Sequence, residues 1–204
     1  MICILCHKEQ TKFIGKMKSP YEWAKSPEGD LEFEIYDCEV CETRFVSPNV
    51  IKEDFYEFIF CGTDLYKSHL DFAMKLSKFD DPSWALLSLG HPYYGILEFL
   101  KGKENLYILD IGCSYGFAVF VMRLMGHKAV GIDISYRAVQ FAKGIFGGDF
   151  FLSTVEELKK QNPAVLVNLV TAIEVIEHLS EPMKFMQQCF SLVPQGGSVL
   201  ITTP

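Results

Sequence analysis

The most constraining feature of this sequence is an ordered series in its second half, where short apolar runs alternate with helical stretches. Leu106 to Ile111 is a buried-strand run, followed by Gly112-Cys113-Ser114-Tyr115-Gly116 and a helical stretch from Phe117 to Met125 that Gly126 ends. Ala129 to Ile134 is a second strand, with Ser135 as N-cap of a helix through Lys143. Asp149 to Leu152 is a third, after which Ser153 and Glu156 are spaced as a capping box for a short helix. Ala164 to Ala172 is the fourth strand, Pro182 to Leu192 the next helix and Ser198 to Thr202 the fifth strand. Strands alternating with helices of this length fold as α/β, a doubly wound, mostly parallel sheet covered on both faces. In such sheets ligands bind at the carboxyl ends of the strands, so the residues at those ends carry the functional information.

At the first strand end, Gly112 and Gly116 let the backbone approach a ligand, and the helix behind them offers its first amides there. The spacing is GxxxG. Dinucleotide folds use GxGxxG, whose closely spaced first glycines admit a pyrophosphate, and this difference argues against a nicotinamide oxidoreductase. Asp133 closes the second strand 21 residues beyond Gly112. An aspartate there also serves as a helix cap, but joined to the glycine loop at this distance it reads as an acceptor for ribose hydroxyls.

Four of the seven cysteines form a second pattern. Cys3 with Cys6 and Cys38 with Cys41 are two CxxC pairs with 31 residues between them, whereas Cys61, Cys113 and Cys189 are scattered. Two such pairs supply the four thiolates of a closed tetrahedral Zn2+ site, which is structural because no coordination position stays open. Redox-active or unrelated thiols are the competing reading. A ribbon of short strands around the metal, with an alternating stretch at Leu31 to Tyr36, is expected for a unit too small to have a core of its own. Between the ribbon and the α/β series lies an aromatic-rich region with helices at Leu65 to Phe79 and Tyr93 to Leu100, broken by Asp81-Pro82 and His91-Pro92. Its aromatics are packing residues, or else Tyr56 or Tyr66 closes over a ligand pocket. The chain thus divides into a zinc ribbon at 1–50, a helical linker or lid at 51–105 and a ligand-binding α/β domain at 106–204.

Composition narrows the function classes. The 204 residues hold 19 Lys plus Arg against 26 Asp plus Glu, a formal charge of −7, which argues against a nucleic-acid-binding module. At 49% hydrophobic and 22% charged residues the chain is globular rather than disordered. No apolar run reaches the ~18–20 residues of a membrane helix, and the start MICILCHK lacks the pattern of a secretory signal. A cytoplasmic location with no membrane partner is the expectation.

The segments LDIGCSYG, VGIDIS, STVEEL, VTAIEVIEHLSEP and LVPQGGSVLITTP closely resemble the class I S-adenosylmethionine-dependent methyltransferases over residues 106–204. With the CxxC pairs and CETRFVSP, the whole chain is similar to the subgroup with an N-terminal zinc ribbon, which includes sugar C-methyltransferases and other tailoring enzymes. The resemblance implies a Rossmann-like fold and methyl transfer from S-adenosylmethionine to a small acceptor, carbohydrate-related in that subgroup. It implies that Asp110, Gly112, Cys113, Ser114 and Gly116 hold the methionine end and that Asp133 and Ile134 take the ribose and adenine. Thr154, Val155 and Glu156 match the adenine edge, and Ile173 and Glu174 line the reacting centre. Glu177 and His178 match a pair associated with substrate activation, where a histidine takes the acceptor's proton; they serve equally as caps of the turn before Pro182. Two positions depart from the family: Ser114 stands at the usual middle glycine, and Asn168 replaces the acidic residue at the start of the fourth strand. A degenerate zinc-binding module that binds partner or cofactor without turnover is the alternative. The family sheet usually has seven strands and this sequence supplies five, so the expectation is either a sequence cut short at its C-terminus or an open edge at Val199 to Ile201 covered by another chain.

Overall fold

The computed structural model describes residues 1–18, 32–47 and 63–204, with side chains of the first helix described from Lys67 onward. Leu31, Tyr56 and the side chain of Tyr66 lie outside the described residues.

The N-terminal part forms a three-stranded antiparallel sheet of β1 (Thr11–Lys18), β2 (Glu32–Cys38) and β3 (Arg44–Ser47) in the order β1-β2-β3. Its small core is Cys3, Cys38 and Phe45, with Tyr36 stacked on Phe45 at 5.8 Å between ring centroids. Arg44 grips Asp37 across β2 and β3 with two hydrogen bonds of 2.7 and 2.9 Å.

Three helices follow: α1 (Thr63–Leu76), α2 (Pro82–Leu87) and α3 (Tyr93–Leu100). The sequence reading contained no α2. Asp81 caps it through the Ser83 amide and Pro82 opens it, so the dipeptide expected only to break a helix also starts one.

The α/β part is a five-stranded parallel sheet in the order β6-β5-β4-β7-β8, formed by β4 (Tyr107–Ile111), β5 (Lys128–Asp133), β6 (Phe150–Leu152), β7 (Leu169–Ile173) and β8 (Ser198–Thr202). The connecting helices are α4 (Phe117–Leu124), α5 (Tyr136–Phe146), α6 (Val155–Gln161) and α7 (Pro182–Phe190). The chain steps from β4 to β5 on one side and returns to place β7 on the other, so the switch point lies at the carboxyl ends of β4 and β7.

Side-chain alternation along β4 builds both cores. Ile108 packs with α2, α3, α4 and α5, while Leu109 and Ile111 pack with Val155, Phe185 and Cys189 from α6 and α7. Asp110 shares the face of Ile108, and the register sets it opposite Thr171 of β7. Asn168, just before β7, accepts the Tyr107 amide on its side-chain oxygen at 2.8 Å and so knits the starts of the two strands.

Two local expectations are corrected. The fourth strand is Leu169–Ile173, shorter than the apolar run from Ala164, because the stretch before it carries Val167 into the core as loop. The capping box is made by Thr154 and Glu157, not Ser153 and Glu156; Thr154 Oγ1 accepts the Glu157 amide at 3.2 Å and the Glu157 carboxylate accepts the Thr154 amide at 2.8 Å. Among the described residues no helix is long and apolar enough to cross a membrane.

Candidate functional site

The glycine loop is held from beneath by β5. The amides of Gly112 and Cys113 both donate to the Ile132 carbonyl, at 2.9 and 3.0 Å. Ser114 has φ 48°, in the left-handed region that glycine enters without steric cost and a serine does not. Its amide donates to Asp133 Oδ2 at 2.7 Å, while Asp133 Oδ1 accepts the Ser135 amide at 2.8 Å. Asp133 is therefore both the brace of the loop and the cap of the turn into α5. Gly116 begins α4 at φ 77°, where a Cβ would lie 2.6 Å from the Phe150 ring and 2.8 Å from Ala142. Cys113 turns its thiol inward onto Gly131, and burial pushes that thiol well above its ordinary range, so it offers the loop its backbone and not its sulfur.

Three carboxylates stand at the ends of three adjacent strands. Asp110 is 4% exposed and accepts the Thr171 hydroxyl at 2.6 Å. Burial pushes its carboxyl up to about 7, the Thr171 bond works against that rise, and the neighbouring charge of Asp133 adds to it. Glu174, past the end of β7, has φ 54° and is pinned to the end of β8: its amide donates to the Thr202 carbonyl at 3.2 Å, and the Thr202 hydroxyl donates to Glu174 Oε1 at 2.9 Å. Backbone strain of this kind at two strand ends, Ser114 and Glu174, marks the region as a site. Tyr93, the first residue of α3, completes it; burial raises its phenol above the ordinary value and the charges of Asp110 and Glu174 add to the effect.

The remaining expected residues divide by exposure. Ile134 is 48% exposed beside Asp133, and Ile173 is half-buried against the core. Thr154 is the N-cap of α6, Val155 is buried in the second core, and Glu156 is exposed and paired with Lys160 at 2.9 Å. Glu177 and His178 lie on a 3-10 turn, Ile176–His178, directly after β7. His178 is exposed, and Glu177 Oε2 is a buried oxygen with no hydrogen-bond partner among the described residues. Such an atom is costly unless something is brought to it.

Four residues of this region were not singled out as site residues from the sequence. Thr171 and Thr202 fix the carboxylates, while Tyr93 and His69 line a cavity of about 340 Å³ between α1, α3 and the loop, together with Phe72, Ser114 and Tyr115. The His69 ring stacks on Tyr115 with centroids 4.0 Å apart, and burial lowers its pKa. Only Tyr93 had a signal in the sequence, its position just inside a helix start after His91-Pro92.

The N-terminal cysteines converge. The sulfurs of Cys3, Cys6, Cys38 and Cys41 lie within 4.8 Å of one another, with Cys3 to Cys41 at 3.6 Å and Cys6 to Cys38 at 3.5 Å. A tetrahedral zinc with Zn–S bonds of ~2.3 Å has sulfurs roughly 3.8 Å apart, so the donor set fits that ion. The two CxxC turns repeat each other bond for bond. In each, the residue after the second cysteine is left-handed, His7 at φ 57° and Glu42 at φ 61°, and its amide donates to the first cysteine's carbonyl at 3.0 Å. In each, the amide two residues on donates to the first cysteine's sulfur at 3.4 Å, from Leu5 and from Val40.

Ubiquinone biosynthesis O-methyltransferase of Vibrio atlanticus is 30% identical over 113 residues, which are 53% of this chain and 47% of that protein. The enzyme of the same name from Nitrosomonas europaea is 32% identical over 111 residues, 52% of this chain and 47% of that one. The chain thus spans about half the length of the curated relatives it matches. A solved structure, the plantazolicin methyltransferase BpumL in complex with SAH, aligns with a TM-score of 0.45 and 18% identity over 66% of this chain and 51% of that one. Residues 93–204 match the family described as methyltransferase domain, and since they are more than half of the sequence and carry the strand-end site from Tyr93 to Thr202, the chain belongs to that family.

Proposed function

We propose that the chain binds S-adenosylmethionine across the carboxyl ends of β4, β5 and β7 and transfers its methyl group to an oxygen of a small acceptor. The carrying observation is the set of three fixed carboxylates, Asp110, Asp133 and Glu174, around a glycine loop at the switch point. These acceptors suit a ligand with cationic centres and a ribose. Bound there, S-adenosylmethionine supplies an electrophilic methyl group on a sulfonium.

In this reading Asp110 and Glu174 receive the ligand's ammonium group. Asp133 keeps its bonds to the Ser114 and Ser135 amides and serves as an acceptor for the ribose hydroxyls. Ile134 lies along the adenine and the backbone of Thr154 to Glu156 meets its edge. Glu177 and His178 take the proton from the acceptor, with the exposed imidazole as base and the buried Glu177 oxygen as a group that a ligand donor would satisfy. An oxygen acceptor is favoured by the relatives named O-methyltransferases; the carbohydrate class expected from the sequence is tested beside phenols in the same panel.

We further infer that Cys3, Cys6, Cys38 and Cys41 hold a structural zinc, supported by the matched turns and sulfur spacings. Calorimetric titration with S-adenosylmethionine and with NAD tests the main reading: heat with the first alone is expected, and its absence overturns the proposal. Binding without transfer to any sugar or phenol in the panel would mark the chain as the non-catalytic module. Metal analysis of protein purified without chelator is expected to give one zinc per chain.

A further inference from the structure

The cavity beside the glycine loop has a division of polarity that the proposed function does not use. Its walls are largely apolar, Phe72, Leu89 and Phe117, and at about 340 Å³ it lies at the small end of ligand pockets. The polar residues among its lining, His69, Tyr93, Ser114, Tyr115 and Cys113, all carry a group able to donate a hydrogen bond. The carboxylates Asp110 and Glu174 stand at the carboxyl ends of the adjacent strands β4 and β7, and both charges act on the Tyr93 phenol. Donors on one side and carboxylates on the other complement a zwitterion with its carboxylate in the cavity and its ammonium at the strand ends.

We propose that His69 receives the carboxylate of the methyl donor's amino-acid end, making α1 a specificity-determining wall of the site. The proposal rests on the S-adenosylmethionine reading above. His69 is held for this task by aromatic rings: Tyr115 at 4.0 Å, Phe117 at 5.9 Å and Phe141 at 6.5 Å between centroids. Tyr115 and Phe141 are each 5% exposed, so the platform under the imidazole is fixed in the core. Among the described residues the ring's partners are these aromatics and not hydrogen-bond acceptors, which leaves its N–H available to a ligand. An acceptor-side role fits less well. The pair expected to handle the acceptor's proton, Glu177 and His178, follows β7, whereas the cavity opens beside the loop after β4.

The test compares two ligands on the full chain: S-adenosylhomocysteine, and 5′-methylthioadenosine, which keeps the nucleoside thioether but lacks the amino-acid end. His69→Phe preserves a ring over Tyr115 and removes the N–H. It is expected to weaken S-adenosylhomocysteine about tenfold, the order of one hydrogen bond to a charged group, while methylthioadenosine stays within about twofold. His69→Gln, which retains an N–H donor, is expected to recover part of the loss, and it carries the comparison if the phenylalanine variant loses its cooperative melting transition. Unchanged S-adenosylhomocysteine affinity, or an equal loss for both ligands, overturns the assignment. Failure of the unaltered chain to bind either ligand overturns the cofactor reading, and this one with it.

Discussion

Replacing Thr171 by valine removes one hydroxyl and keeps the branched shape of the side chain. Thr171 is fully buried, and its hydroxyl donates at 2.6 Å to Asp110, itself 4% exposed. The loss leaves a buried carboxylate short of a donor, at a cost of roughly 1–3 kcal/mol when that group is charged. The cost depends on pH in a direction the structure fixes. Burial raises Asp110 from 3.8 to about 7 in the folded chain, so the folded state holds a proton that the unfolded state releases. Stability linked to Asp110 is therefore fully present below pH ~4 and is lost as the pH rises towards 7, by up to about 4 kcal/mol for three units. The Thr171 bond opposes the rise by favouring the charged form. Thr171→Val should then cost about 2 kcal/mol at pH 8, where Asp110 is ionised, and about 1 kcal/mol or less at pH 5, where it is protonated. Urea denaturation followed by circular dichroism at the two pH values measures both numbers. In an Asp110→Asn background the pH dependence of the valine substitution should vanish. Equal costs at pH 5 and pH 8, or no cost at either, would refute the account of Asp110 as a buried carboxyl tuned by its strand neighbour.

Gly116→Ala should destabilise the chain by about 2–4 kcal/mol, because a Cβ there meets Phe150 at 2.6 Å on a backbone at φ 77°; a thermal melt within 2 °C of the parent, against the ~2–4 °C per kcal/mol usual for domains of this size, would count against the placement of Phe150 under the loop. His127 is 5% exposed, accepts the Leu106 amide on Nδ1 at 3.3 Å and is lowered by burial, so its contribution to stability is present above the unfolded value of ~6.5 and is lost as the pH falls below it. Comparing the urea midpoints of the parent and His127→Gln from pH 7.5 to 5.5 isolates this trend from the opposite one of Asp110, and parallel curves would refute it. A strong chelator should release zinc and abolish the near-ultraviolet signal of Tyr36 and Phe45 while the Tm of the α/β part stays put; a cluster unaffected by chelator and free of metal would retire the zinc assignment.

What was legible in the sequence is what repeats along the chain. The order of strands and helices follows from apolar periodicity, and the CxxC spacing brings four sulfurs together as expected. What was not legible lies across strands. Thr171 is one hydroxyl in an apolar run, and nothing local says that register will set it opposite Asp110. The shift of the capping box by one residue has the same origin: STVEEL offers Ser153 with Glu156 and Thr154 with Glu157, and β6 decides between them by keeping Ser153 at its end, with its amide on the Asp133 carbonyl at 3.0 Å. His69 stood in a helix with no motif around it, and its place above Tyr115 depends on how α1 packs across the ends of α4 and α5.

The same cross-strand logic accounts for how the site is made ready. Each carboxylate is oriented by a group from a neighbouring strand or loop: Asp110 by Thr171 of β7, Asp133 by the amide of Ser114 after β4, and Glu174 by Thr202 of β8. A flexible carboxylate would have to give up rotamer freedom when a cation arrives; these three have given it up on folding. The cost is visible at the site itself, as left-handed φ at Ser114 and Glu174 and one carboxyl raised to about 7. A ligand ammonium beside Asp110 relieves that last strain by favouring the ionised form, so cofactor binding below pH ~7 should release a proton. Calorimetry in two buffers of different ionisation heat reads this directly: the apparent enthalpy should differ between buffers at pH 6 and agree at pH 8.5 in the parent, and the pH 6 difference should shrink in Asp110→Asn. Buffer-independent heat at pH 6 in the parent would show that the cation does not reach Asp110.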